Sequence, residues 1–145
     1  SWKSQMAWIK VDDQPGKRVD LTGLFAMMQA ETFGGGYRVA PGMQPFGDSA
    51  SIVLGFGLSK LQMLRVMGPL EKGRHVGKWG KISMEPCRRF EIKALDSEGN
   101  PTEEKGHDPP LFISLDGEIS MTTPVSFEFH EGQLNVRGGQ SPPNL

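Results

Sequence analysis

The stretch Lys81–Ala94, KISMEPCRRFEIKA, decides the fold class of this chain because its apolar side chains recur at every second position. These alternating apolar residues are Ile82, Met84, Phe90, Ile92 and Ala94. A period of two is typical of a β-strand with one buried face, and we interpret Pro86-Cys87 as the turn between two such strands. The stretch therefore predicts a pair of half-exposed strands.

Further strands are predicted on both sides of this pair. They cover residues 6–11, 51–57, 111–115, 119–121, 125–129 and 134–136. Asp116-Gly117 is a hairpin signal, and Pro124 confines the strand that follows it to an edge or a bulge. The segment 58–67 fits both helical and strand spacing, so its structure is left open.

One main helix is predicted from about residue 21 to 33. Its apolar positions Leu21, Leu24, Phe25 and Met28 follow the spacing i, i+3, i+4, i+7. Asp20 is a suitable N-cap and Gly34 a suitable C-cap. The expected fold is therefore α+β, with an antiparallel sheet or sandwich packed against this helix.

Length and composition favour one globular domain over residues 1–136, followed by a disordered tail at 137–145. The 145 residues include 19 glycines and 11 prolines, which favour turns over long helices. The longest apolar-rich run, 51–67, is too interrupted to span a bilayer. The single cysteine, Cys87, cannot form an intrachain disulfide, so we expect an intracellular protein, either cytoplasmic or peripheral to a membrane.

Motifs for catalysis or cofactor binding are missing from the sequence. The three histidines are far apart, and Cys87 has no partner at metal-ligand spacing. Gly68–His75 differs from a phosphate-binding loop because Arg74 and His75 replace the lysine and hydroxyl residues that hold phosphate and magnesium. We therefore expect no enzymatic activity, no metal and no cofactor.

Charge is segregated along the chain. Residues 60–93 contain nine basic and three acidic residues, a formal charge of +6, although the whole chain has a charge of −1. Such segregation favours an anionic partner, or self-association through opposite charge patches. The predicted polyanion-binding residues are Arg74, His75, Lys78, Trp79, Lys81, Arg88, Arg89 and Lys93.

The alternation of side chains along a strand predicts that some of these basic residues lie on one face of the sheet. Lys81, Arg89 and Lys93 fall opposite the apolar positions of their strands, and Trp79 shares the parity of Lys81. A cationic face with an indole suits nucleic acid, an anionic membrane or an acidic protein surface. The alternative is a solvated sheet face whose cations only prevent edge pairing.

These patterns predict a non-enzymatic structural or assembly protein that binds a polyanion: nucleic acid, a nucleoprotein or an anionic membrane. In its small β-rich body and basic patch the chain resembles viral matrix proteins. Met121-Thr122-Thr123-Pro124-Val125 is also similar to a pentapeptide of SOUL-type haem-binding proteins. That resemblance implies, as an alternative, a barrel-like domain that binds haem or another small apolar ligand.

Overall fold

The computed structural model describes residues 5–23, 25–44, 47–104, 111–115 and 118–132. Within these ranges the chain forms antiparallel sheets and one main helix, which confirms the predicted α+β class. The elements are β1 (Met6–Val11), β2 (Lys17–Asp20), β3 (Phe25–Met28), β4 (Ala50–Gly55), α1 (Lys60–Glu71), a 3-10 turn (Lys78–Gly80), β5 (Ile82–Cys87), β6 (Arg89–Lys93), β7 (Phe112–Leu115), β8 (Glu118–Thr122) and β9 (Val125–Glu128).

The described strands belong to three antiparallel sheets. The first sheet has the strand order β2-β1-β6-β9, and the second has the order β3-β4-β5. The strands β7 and β8 pair only with each other in these ranges. Consecutive strands β5 and β6 therefore lie in different sheets.

Strand β4 is the centre of the structure, because all of its residues are buried. Ile52 belongs to a core cluster that includes Phe90 of the first sheet. The next residue, Val53, belongs to a second cluster that includes Val66 of α1. Since successive strand residues point to opposite faces, the second sheet lies between the first sheet on one side and the helix on the other.

The segment 58–67, whose structure the sequence leaves open, belongs for the most part to helix α1. Ser59 caps it: the Ser59 hydroxyl accepts from the Gln62 N–H at 3.2 Å, and the Ser59 N–H donates to Gln62 Oε1 at 3.0 Å. This reciprocal arrangement is a capping box. Met63, Val66 and Leu70 follow at i, i+3, i+7 and pack into the helix-side core.

The prediction of a helix at 21–33 is wrong. Residues Phe25–Met28 form β3, which pairs antiparallel with β4. Phe25 and Met27 pack against the core of the first sheet, whereas the other two residues of the strand pack on the helix side. Because both faces of this short strand are apolar, its residues also satisfy a helical spacing without forming a helix.

The predicted caps of that helix serve turns instead. Asp20 Oδ1 accepts from the Thr22 N–H at 2.8 Å, which is a local turn. Gly34 has a φ of +40° and is the first residue of a tight turn. The residues on either side of this turn, Phe33 and Tyr37, form a β-bridge. Gly23 approaches the second sheet so closely that a Cβ there would lie 1.8 Å from Gly55 O.

The interpretation of Pro86-Cys87 as a turn is also wrong, since both residues belong to β5. The chain changes sheet one residue later, at Arg88. Asp12 holds this corner: its Oδ1 accepts from the N–H groups of Arg88 and Arg89 at 2.8 and 2.7 Å. Phe129 N–H donates to Arg88 O at 2.7 Å, so the corner is fixed from two directions.

The other strand predictions that fall on described residues are confirmed by β1, β4, β7, β8 and β9. Among the described strands, the one after Pro124, β9, forms an edge of the first sheet, as expected for that position. The Asp116-Gly117 turn, the predicted strand at 134–136 and the predicted tail at 137–145 lie outside the described residues.

Candidate anion-binding surface

The predicted anion-binding residues divide between two places in the fold. Lys81 directly precedes β5 of the second sheet, whereas Arg89 and Lys93 lie in β6 of the first sheet. The prediction that strand parity places these three cations on one face is therefore wrong. Alternation is continuous only within a strand, and the change of sheet at Arg88 interrupts it.

Arg88, Arg89 and Lys93, which we call the corner group, all have acidic partners. Their partners are Glu131 at 3.8 Å, Glu128 at 3.4 Å and Glu103, respectively. The Lys93 ammonium also lies 5.3 Å from the centre of the Trp8 ring. Exposed ion pairs add little stability, but each places a negative charge beside a positive one. The corner group is therefore locally compensated.

His75 is not a surface residue, so its predicted contact with a polyanion is wrong. The side chain is fully buried, and its Nε2 lies 3.0 Å from Val39 O. Because a carbonyl oxygen can only accept, Nε2 carries the proton and donates. Nδ1 has no hydrogen-bond partner among the described residues. Burial lowers the pKa of His75 below its ordinary value of 6.5, while the bond to Val39 acts in the opposite direction.

This burial makes folding sensitive to acid. An unfolded chain protonates His75 near pH 6.5, whereas the folded chain protonates it only at a lower pH because the pKa is lowered. The contribution of His75 to stability is therefore complete above about pH 6.5. It decreases as the pH falls from there toward the lowered pKa of the folded state.

We expect His75→Gln to reduce the acid sensitivity of stability between pH 7.5 and 5. Glutamine stays neutral over this range and can still donate to Val39 O. The measurement is the melting temperature against pH for the wild type and the variant. His130→Gln is the control, because His130 is exposed. If His75→Gln retains the wild-type dependence on pH, this assignment is wrong.

Six other cations form a second group on the helix side of the fold. They are Lys60, Arg65, Lys72, Arg74, Lys78 and Lys81, which we call the helix-side group. All six are exposed. Across the described part of the chain, no carboxylate lies within ion-pair distance of any of them. Within residues 60–93, the cations without a carboxylate partner in the described structure are therefore these six, and not those at the sheet corner.

The chain after α1 returns toward the N-terminal end of the helix, where Lys81 is anchored. Arg74 N–H donates to Pro69 O at 2.7 Å, near the C-terminal end of α1. Lys81 Nζ donates to Gly57 O at 2.6 Å and to Gln62 Oε1 at 3.2 Å, at the N-terminal end. Residues 72–81 therefore return from the C-terminal end of α1 to its N-terminal end.

Exposed apolar side chains lie among these cations. They are Leu61, Leu64, Met67, Val76 and Trp79. Leu64 is 73% exposed and Leu61 is 53% exposed, although both belong to a helix whose opposite side is buried. The helix-side group and these five residues together form what we call the helix-side surface.

Sequence reasoning found half of the helix-side group and missed the other half. Lys60 and Arg65 lie in the segment 58–67, whose structure the sequence leaves open, and Lys72 lies outside the basic patch predicted at residues 74–93. One signal could have found them: Ser59-x-x-Gln62 before an apolar run is the capping-box pattern of a helix start. That helix would have placed the missed cations beside the predicted ones.

A hollow of about 340 Å³ opens at the sheet corner. It is lined by Asp12, Asp48, Ser49, Pro86, Cys87 and Arg88. Burial, followed by the charges of Asp12 and Glu85, raises the pKa of the Cys87 thiol to about 11. The reactive form of cysteine is the thiolate, so this thiol is a weak nucleophile at neutral pH. The lining is also more polar than that of most ligand pockets.

Three further observations concern metal ligands, membrane-spanning helices and the predicted haem-binding pentapeptide. Within the described ranges, no three His, Cys, Asp or Glu side chains come together as metal ligands. No helix in those ranges is long and apolar enough to cross a membrane. The Met121–Val125 pentapeptide connects β8 to β9, and Thr123 within it is buried. The haem-binding alternative that this pentapeptide implies stays a prediction.

No family model matches this chain, and no curated protein matches it. The functional argument therefore depends on the chemistry of the site itself.

Proposed function

We propose that this chain is a non-enzymatic binding or assembly protein that binds a polyanion through the helix-side surface. One observation carries the proposal: the corner group is paired with carboxylates, whereas the helix-side group has no acidic partner among the described residues. The +6 segment therefore contains two kinds of cation with different roles. Within this segment, the helix-side cations are the ones that we expect to contact an external anion, because no carboxylate in the described structure neutralises them.

The electrostatics of the surface support this role. Between residues 56 and 82 the only acidic residue is Glu71, against six cations. Like charges that are held close together repel one another and attract counterions. When these cations neutralise the phosphates of a polyanion, the metal cations condensed on the polyanion are released, and this release is favourable. The same repulsion destabilises the free protein, which is why the uncompensated charge indicates a partner.

The same surface leads to two further proposals, one about where the protein is located and one about its self-association. A protein that binds an intracellular polyanion is expected in the cytoplasm or at the periphery of a membrane. The acidic remainder of the chain could pair with the helix-side surface of a second copy, and such self-association would weaken with added salt.

Charge neutralisation tests the proposal. A variant with Lys60, Arg65, Lys72 and Arg74 changed to Gln should bind heparin and poly(U) RNA at least about tenfold more weakly than the wild type at low salt. All four side chains are exposed, so the variant should keep its melting temperature within a few degrees. Binding is measured by fluorescence anisotropy of the labelled polyanion.

The matched control is the corner group, with Arg88, Arg89 and Lys93 changed to Gln. It removes nearly as much positive charge, but from cations that already have acidic partners. We expect its affinity for both polyanions to stay within about threefold of the wild type. Equal losses in the two variants would show that net charge alone governs binding, and the proposed role of the helix-side surface would then be wrong.

A further inference from the structure

We infer that the polyanion bound by the helix-side surface is the surface of an anionic phospholipid bilayer. This inference rests on the proposed function and specifies its partner. It is carried by the apolar residues of the surface, because charge alone does not distinguish a lipid headgroup from the phosphate of a nucleic acid.

The outward side of α1 has an ordered arrangement. Leu61 and Leu64 are separated by one turn and form an apolar line that points away from the core. Lys60 and Met67 are seven residues apart and lie along one side of this line, while Arg65 lies along the other. Lys60 and Arg65 therefore flank the leucines. Helices that lie in the plane of a membrane interface have the same arrangement, with basic residues on either side of an apolar face.

Folding does not require these leucines to be apolar. Met63, Val66 and Leu70 already supply the inward side of the helix. Single exposed leucines are common on protein surfaces, but five exposed apolar side chains within residues 61–79 form a concentrated set. The described structure places nothing over them, so a partner with apolar chemistry would gain from their burial.

Trp79 adds an interfacial anchor to this surface. It is 42% exposed and has a φ of +53°, a backbone conformation that bulky residues rarely adopt. It lies between Gly77 and Gly80, which are also in the left-handed region. An indole combines an apolar ring with one N–H donor and prefers the headgroup region of bilayers. The strained backbone and the exposed ring of Trp79 fit a binding role.

Lipid fits this combination better than nucleic acid does. Phosphate groups and stacked bases are recognised by cations, polar groups and aromatic rings. Leu61, Leu64 and Met67 offer neither hydrogen bonds nor a π face. In a bilayer the cations would meet anionic headgroups while the leucines enter the upper acyl region. The helix is 12 residues long, about 18 Å, so it would lie on the membrane and not span it.

Vesicle sedimentation tests the inference. The wild type should bind vesicles of 30% phosphatidylserine in phosphatidylcholine and should not bind pure phosphatidylcholine vesicles. Leu61→Ser combined with Leu64→Ser should weaken binding to the anionic vesicles at least tenfold, since two apolar side chains lose their burial in the membrane. The same double variant should keep its heparin affinity within about twofold, because no charge is removed.

A second pair of exposed apolar residues provides the matched control. Phe112 and Ile119 lie on β7 and β8, are 63% and 72% exposed, and are separate from the helix-side surface. Phe112→Ser combined with Ile119→Ser should bind anionic vesicles as the wild type does. Circular dichroism and the melting temperature are measured to check that both double variants are folded.

The outcomes separate this inference from the proposed function. If the leucine variant binds anionic vesicles as tightly as the wild type, or if the wild type binds heparin and poly(U) but not anionic vesicles, the bilayer is not the partner and the proposed function stands. If the wild type binds neither the soluble polyanions nor the vesicles, the proposed function itself is wrong.

Discussion

Replacing Phe90 with alanine is expected to lower the free energy of unfolding by about 3–5 kcal/mol. Phe90 is among the largest fully buried side chains and lies in β6, with its ring centre 5.0 Å from that of Phe25 in β3. It therefore packs between the two large sheets. Alanine would remove this contact and leave a cavity that the surrounding strands cannot fill without breaking their pairing.

The measurement is urea unfolding followed by circular dichroism. Phe112→Ala is the control, since Phe112 is an exposed phenylalanine in a strand. It should cost less than about 1 kcal/mol. Similar losses in both variants would contradict the assignment of Phe90 to the core between the sheets.

Changing Asp12 to alanine is expected to cost about 2–4 kcal/mol of stability. The carboxylate accepts from two backbone N–H groups at the corner where the chain leaves the second sheet. Bonds to a charged acceptor contribute about 1.5–3 kcal/mol each when buried and less when exposed. Asp12 also has a φ of +48°, which aspartate tolerates better than alanine does.

An asparagine variant tests whether stability at this corner depends on a side-chain acceptor and a residue that tolerates positive φ. Asp12→Asn keeps an oxygen at the acceptor position and is favoured at positive φ, so it should recover most of the stability. Asp13→Ala, at the exposed neighbouring position, should have an effect within about 0.5 kcal/mol. If Asp12→Asn is as destabilised as Asp12→Ala under chemical denaturation, the corner does not depend on this acceptor.

Strands with one buried face could be predicted from the sequence. In β1, Ala7, Ile9 and Val11 are buried while the residues between them are less so, which is the expected alternation. Strand β3 could not be predicted in this way, because both of its faces contact apolar layers. Its pairing with β4, which depends on residues distant in sequence, overrides the local helical spacing.

The site was predictable in part for the same reason. Alternation within β6 correctly places Arg89 and Lys93 opposite the buried Phe90. Their carboxylate partners Glu128 and Glu103 are brought close only by folding, so the sequence does not reveal that the corner cations are compensated. The spacing of apolar residues within a strand indicates which side chains are buried. Whether a cation has a carboxylate partner depends on contacts between segments that are distant in sequence.

The most direct test of the account is the salt dependence of binding to a soluble polyanion. For poly(U), the slope of log K against log salt should become shallower by up to about 3 when Lys60, Arg65, Lys72 and Arg74 are changed to Gln, because each lost phosphate contact removes about 0.7. The corner variant, with Arg88, Arg89 and Lys93 changed to Gln, should keep the wild-type slope. A shallower slope in the corner variant together with an unchanged slope in the helix-side variant would contradict the assignment of anion binding to the helix-side surface.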